Sequence, residues 1–301
     1  VMTERPSYIL FITDQQRYDH LGCNGHPVLK TPNIDAIADE GVTYDRFYVA
    51  SPVCMPNRAS LMTCRMPSSH GVRSLGIPLS HDNVTFVELM RAAGYDTALI
   101  GKSHLQNVTD WPHKLDPQEP RDGFAAPPDD LAVAIRSDLD NGTYQYEREA
   151  FFEDETAEVP LPFYGFDKYV AVTRHGFNTG GDHARHVRTT APDAFAQRGR
   201  TNQFAHDYTC PQAIRTKVPE EQYSTSYIAD RTCEFLESRR GNPTPFLLMV
   251  SFPDPHHPFT PPGKYWDMYK PEDMEIPSAY TADDWGAPDY VTIAEKNRAA
   301  D

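Results

Sequence analysis

Three short apolar runs punctuate the chain, and each one breaks off into polar, titratable residues. Tyr8-Ile-Leu-Phe-Ile-Thr13 runs into Asp14-Gln15, Thr97-Ala-Leu-Ile100 into Gly101-Lys-Ser-His104, and Phe246-Leu-Leu-Met-Val-Ser-Phe252 into Asp254-Pro-His-His-Pro258. Their length and β-branched content predict buried parallel strands, which are covered on both faces and so read as unbroken hydrophobic runs. Helical patterns lie between them. Thr31 to Gly41 reads as a capped helix, with Thr31 as N-cap, Pro32 at the first position and Gly41 at the stop. Thr85-Phe-Val-Glu88 reads as a capping box opening a helix that Gly94 ends, and a further helix is expected around Ser226–Arg239.

Helices between buried strands imply βαβ crossovers, hence an α/β fold with a largely parallel central sheet and helices on both faces. Such sheets bind ligands beyond the carboxyl ends of their strands. All three strands deliver chemistry-bearing residues at that end. Residues 106–220 differ: rich in Pro, aromatic and acidic residues and poor in periodicity, they predict a loop-rich specificity insertion over a core formed by 1–105 and 221–270. The whole of 1–301 is expected to be one catalytic domain without internal repeats, with a weak helical start at Val291–Ala300.

Residues 54–65, Cys-Met-Pro-Asn-Arg-Ala-Ser-Leu-Met-Thr-Cys-Arg, carry the sharpest local signal. Cys54, Pro56 and Arg58 stand at the opening of an expected helix, where free N–H groups and the Arg58 charge would polarise Cys54 toward an anion. The bland alternative is a small buried Cys before an ordinary Pro. Asp14 and Gln15 offer hard oxygen ligands that suit Ca²⁺ or Mg²⁺ better than zinc, although a lone Asp there also serves as a turn residue. Lys102 and His104, on alternate positions, could reach one anion, Lys as fixed charge and His as a proton-transfer group. Of His256 and His257, one is expected in the site. His175, His183, His186 and Asp182 form a loose cluster whose spacing fits no familiar zinc site. His70 is expected to support the helix bearing Cys54, and Lys30 and Arg73 have no context that singles them out.

Composition narrows the partners. With 28 basic and 43 acidic residues the net charge is −15, which argues against nucleic acid or an anionic membrane as partner. No apolar run is long enough to span a bilayer, and Val1–Pro6 does not read as a signal peptide. Five cysteines, an odd number without a paired framework, suit a reducing cytoplasm. A G-x-S-x-G elbow, a Walker loop and a G-x-G-x-x-G motif are all absent, and Gly101-Lys-Ser lacks the upstream glycine of a phosphate loop.

Taken in order, these motifs resemble the sulfatase family of the alkaline phosphatase superfamily. Its signature Cys-x-Pro-[Ser/Ala]-Arg-x-x-Leu-x-Thr-Gly is matched by Cys54, Pro56, Arg58, Leu61 and Thr63; Lys102 and His104 match its Gly-Lys-x-His segment, and Pro255-His256-His257-Pro258 its Pro-His-x-Pro segment, which selects His256. The resemblance implies conversion of Cys54 to formylglycine by a formylglycine-generating enzyme, and a divalent metal, Ca²⁺ before Mg²⁺ or Mn²⁺, on Asp14, Gln15 and the modified Cys54. It implies a small anionic sulfate-ester substrate, aryl or carbohydrate in type, attacked by one hydroxyl of the aldehyde hydrate. Arg58 would activate that hydroxyl, Lys102 would neutralise sulfate oxygens, His256 would protonate the leaving group and His104 would take a proton from the second hydroxyl. Asn57 and Cys64 depart from the signature and are expected to slow the conversion of Cys54. The family's later Asp-His-Gly segment and a further lysine have no match, which implies that the C-terminal part of the family fold is missing from this chain and that an open sheet exposes apolar surface. The rival functions are a phosphonate monoester or phosphodiester hydrolase of the same superfamily, and a non-catalytic sulfatase-like binding protein.

Overall fold

The computed structural model describes residues 5–109, 122–123 and 142–276. Four strands, β1 (Tyr8–Ile12), β2 (Asp96–Gly101), β3 (Lys168–Ala171) and β4 (Phe246–Ser251), form one sheet in the order β1-β4-β2-β3 with every neighbouring pair parallel. Around it lie α1 (Pro32–Glu40), α2 (Cys54–Thr63), α3 (Pro67–His70), α4 (Phe86–Ala92), α5 (Glu149–Glu153), α6 (Gly181–Thr190), α7 (Pro192–Ala196) and α8 (Ser224–Ser238). The expected α/β architecture is present. No helix among the described residues is long and apolar enough to cross a membrane.

The alternation of a strand's side chains sorts the core into two layers. Leu99, Leu247 and Met249 face one side with Met55, Ala59 and Met62 of α2 and Val87 of α4. Ala98, Ile100, Leu248 and Val250 face the other with Tyr227, Ile228 and Phe235 of α8. Both faces of the central strands are thereby covered, as an unbroken apolar run requires.

The register brings the carboxyl ends level. Ile12 and Gly101 both pair with Ser251, and Gly101 also pairs with Ala171. Gly101 cannot be replaced without displacing that alignment. Its φ is +111°, and a Cβ there would lie 1.9 Å from the Ser251 carbonyl oxygen.

Three expectations need correction. Strand β1 is parallel but not buried: it forms an edge of the sheet, with Tyr8 47% and Phe11 56% exposed, because only β4 pairs with it among the described residues. Residues 106–220 are not simply loop, since they supply β3 and the helices α5 to α7. The run Tyr169-Val-Ala-Val172 is too short to show periodicity, and pairing with β2 stabilises it as a strand. Thr31 precedes α1 without a side-chain cap; its hydroxyl donates to Asp35 Oδ1 (2.7 Å) and accepts from the Gly22 amide (2.8 Å), tying α1 to the short 3₁₀ turn Gly22–Asn24. The helical start expected at 291–300 lies outside the described residues.

The Thr85 capping box forms as expected. The Glu88 amide donates to Thr85 Oγ1 (3.2 Å) and the Thr85 amide donates to Glu88 Oε2 (2.7 Å). Thr85→Ala is expected to cost about 1–2 kcal/mol, read from urea denaturation, while Thr85→Ser recovers most of it.

His183 on α6 gives a pH-dependent contribution. Its ring is buried between the Thr179 hydroxyl and the Gln222 carbonyl, both at 3.0 Å, and burial pushes it down to about 4. In the unfolded chain it titrates near 6.5. Between these values the unfolded state binds the extra proton, so stability rises with pH there and falls as pH drops from 6.5 toward 4. The expected loss at pH 4.5 relative to pH 7 is about 2–3 kcal/mol from this group. It is measured as the difference between wild type and His183→Gln in urea midpoints at the two pH values; equal pH dependence in both would contradict it.

Candidate active site

The N-terminus of α2 points into the row of strand ends. Cys54 is its first residue, half-buried, after extended Val53, so the helix's free N–H groups and partial positive charge surround it. One turn on, Arg58 is 3% exposed. Its Nη1 donates to the Lys102 carbonyl (2.8 Å) and to Ser251 Oγ (2.9 Å), and Nη2 lies 4.0 Å from Asp14 Oδ2. A single guanidinium thus ties α2 to the ends of β1, β2 and β4.

Asp14 is the anion on which the cations converge. Lys102 is 1% exposed, and its Nζ donates to Asp14 Oδ2 and to His175 Nε2. Burial alone would raise the Asp14 carboxyl, but the adjoining His175 ring and the charges of Lys102 and Arg58 overcome it and hold Asp14 well below the usual carboxylate range. Burial, then Arg58, pushes Lys102 down. Burial pushes His175 down to about 4, so at neutral pH its Nε2 is free to accept from Lys102.

His104 sits beside this group, 4% exposed, at a positive φ of 55°. Burial, then the charges of Lys102 and Arg58, holds its ring well below the ordinary value, so it is neutral. Its Nδ1 is buried without a hydrogen-bond partner among the described residues. The loop is held from behind by Glu147, 1% exposed, which accepts from the amides of His104 and Gln106, both at 2.6 Å. His256 stacks on His175 with ring centroids 3.6 Å apart, and its Nδ1 donates to the His257 carbonyl. His257 Nδ1 lies 3.1 Å from Gln15 Oε1. Gln15, His104 and Arg174 all take left-handed backbone conformations, each three residues past the end of β1, β2 or β3. Non-glycine residues adopt that region at some cost, and such positions concentrate at functional sites.

Two adjoining cavities open here. Cys54, His104, His175 and His256 line one of about 600 Å³. Asp14, Gln15, Cys54, Arg58 and His256 line another of about 560 Å³. All the residues singled out from the sequence, Asp14, Gln15, Cys54, Arg58, Lys102, His104 and His256, therefore meet at one place. The loose histidine cluster does not. His175 joins this site, Asp182 accepts from the Ala171 amide (2.8 Å), and His183 is buried against Gln222. His70 does support the Cys54 helix, through Ser60 Oγ at 2.9 Å.

The donor set bears on which metal could be held. Ligand atoms of Asp14, His175 and His256 lie within 4.8 Å of one another. One carboxylate and two imidazoles suit Zn²⁺ or Mn²⁺ as well as harder ions, whereas Ca²⁺ takes six to eight oxygens, more than Asp14 and Gln15 offer. Sequence reasoning missed His175 and Glu147. His175 carries a faint signal, since Tyr169-Val-Ala-Val172 followed by Thr-Arg-His repeats the apolar-then-polar order of the other three strands in a run too short to predict a strand. Glu147 carries no local signal, since it acts through backbone amides 41 and 43 residues away in the chain.

Comparison with known proteins agrees with this geometry. Residues 6–153 match the family model described as Sulfatase. The chain is 27% identical over 275 residues to an ulvan-active sulfatase of Formosa agariphila, covering 90% of this chain and 39% of that protein. It is 28% identical over 278 residues to an arylsulfatase of Clostridium perfringens, covering 91% of this chain and 48% of that protein. Among solved structures, the phosphonate monoester hydrolase of Agrobacterium radiobacter shares the fold, with a TM-score of 0.62 and 24% identity over 90% of this chain and 45% of that one. The chain thus spans less than half the length of these relatives. With its signature residues gathered at the carboxyl edge of a parallel sheet, the chain is similar to the sulfatase family over residues 6–153.

Proposed function

We propose that the protein hydrolyses sulfate monoesters, with Cys54 as the precursor of the nucleophile. The observation that carries this is the meeting of Cys54, Arg58, His104 and His256 on two adjoining cavities, with Lys102 buried against Asp14 beside them. In this reading a formylglycine-generating enzyme converts Cys54, and the hydrated aldehyde presents a hydroxyl to sulfur at the positive end of α2. Arg58 and the helix terminus favour the ionised hydroxyl. The Lys102 charge offsets the negative charge that builds on the sulfate oxygens. As the S–O ester bond breaks, the imidazolium form of His256 delivers its Nε2 proton to the departing alcohol oxygen, while Nδ1–H stays on the His257 carbonyl. Neutral His104, whose buried Nδ1 has no partner among the described residues, takes the proton of the second hydroxyl, so that the C–O bond to the transferred sulfate breaks and aldehyde and free sulfate are left.

Asp14 and Gln15, with the modified Cys54, would hold a divalent cation, which would supply Lewis-acid polarisation when bound. The test is kcat/KM of protein from its native host for 4-nitrophenyl sulfate against phenyl phosphonate 4-nitrophenyl ester. A clear preference for the sulfate is expected. A large preference for the phosphonate would overturn the assignment, and no turnover of either would favour a non-catalytic binding protein.

A further inference from the structure

His256 borders a third cavity, of about 490 Å³, which none of the signature residues other than Pro255 and His256 lines. It lies between the turn Glu220–Gln222 with the start of α8 and the loop that follows β4. Its size is that of a small-molecule site. Its walls are aromatic and prolyl, from Tyr223, Phe259, Pro261, Pro262 and Tyr265. Among the described residues neither Lys nor Arg lines it, but two carboxyl groups do. Asp254 is held by the Tyr223 hydroxyl (3.0 Å) and Thr225 Oγ1 (2.9 Å), and Glu220 accepts from the Tyr265 hydroxyl (3.0 Å). Lys264, beside Tyr265 in the chain, is paired with Glu220 at 3.3 Å. The cavity on the other side of His256 has a different wall, which includes Arg174, Asn107 and Asn178.

Resting on the sulfatase reading above, we infer that the cavity walled by Tyr223, Phe259 and Tyr265 receives the alcohol part of the ester, and that this part is an uncharged aromatic group. Three features converge. The cavity meets the sulfate-side cavities at His256, the residue placed at the leaving oxygen. Flat rings stack on Phe and Tyr faces, gaining about 0.5–1.5 kcal/mol beyond simple burial. An anionic alcohol would be brought against Glu220 and Asp254 without a free counter-charge, which burial makes costly. Phe259 and Tyr265 are 45% and 41% exposed, so shortening them leaves the core intact.

The test uses the full protein and two kinds of readout. The first is binding of 2-naphthol, followed by its fluorescence and needing no turnover, with 2-naphthoate as the anionic probe. Naphthol is expected to bind at least fivefold tighter than naphthoate, and Phe259→Ala and Tyr265→Ala each to weaken it at least fivefold. Tyr265→Phe should bind nearly as wild type, Glu220→Gln should narrow the preference over naphthoate, and Cys54→Ala should leave naphthol binding unchanged. The second readout is hydrolysis of 2-naphthyl sulfate, where Phe259→Ala is expected to raise KM at least fivefold with kcat little altered. Naphthol binding that ignores both Ala variants, or that is lost in Arg174→Ala instead, overturns the assignment of the cavity. Normal naphthol binding that both Ala variants weaken, with no turnover of any sulfate ester, keeps the cavity as a site for an uncharged aromatic group and overturns the sulfatase reading, and with it the ester-alcohol role.

Discussion

Cys54→Ala is expected to lower kcat/KM for an aryl sulfate by at least about 10³-fold, the scale of loss when a covalent nucleophile is removed. The fold should be unaffected. Cys54 is half-buried at the first position of α2, and the packing of that helix is carried by Met55, Ala59 and Met62. A melting temperature within a few degrees of wild type, together with lost turnover, separates chemistry from folding. Cys54→Ser, in a host that oxidises Cys but not Ser, is expected to fail equally. Mass spectrometry of the wild-type peptide spanning residue 54 should detect the aldehyde. Turnover by a Cys54→Ala protein would exclude this residue as the source of the nucleophile.

Asp14→Asn is expected to cost about 3–5 kcal/mol of stability in chelator-treated protein, the range for removing one partner from a buried ion cluster. Arg58 and Lys102 are 3% and 1% exposed, and Asp14 is the anion both of them face. Without it two buried like charges stand close together, uncompensated. The companion prediction is non-additive: Asp14→Asn combined with Lys102→Met should be more stable than Asp14→Asn alone, because the second change removes one of the stranded charges. Urea denaturation of the wild type, both single variants and the double variant measures the coupling. Additive losses would mean that the three residues do not form one electrostatic unit.

The legible part of the site was local. Cys54, Pro56 and Arg58 fall within five residues, and each of the strands β1, β2 and β4 carries its polar residues immediately after an apolar run. Fold class followed from the same runs, since unbroken hydrophobic strands separated by helical patterns require a sheet covered on both faces. The edge position of β1 was not legible, because an edge strand and a central strand share the same apolar string; what differs is the number of neighbours. β3 escaped for a related reason. Its four residues are stabilised by β2, across a sequence separation that no local pattern records.

The sequence by itself determined which chemical groups stand at the ends of β1, β2 and β4 and that Cys54 opens a helix, because both depend on residues adjacent in the chain. Only the tertiary structure decided their partners. It set Lys102 between Asp14 and His175, used Arg58 to tie α2 to three strands, buried Glu147 behind the His104 loop, and gave His256 an aromatic cavity on its far side. The physical reason is that charge, burial and stacking depend on distance in space, and the parallel register at Ser251 is what makes residues far apart in the chain neighbours there.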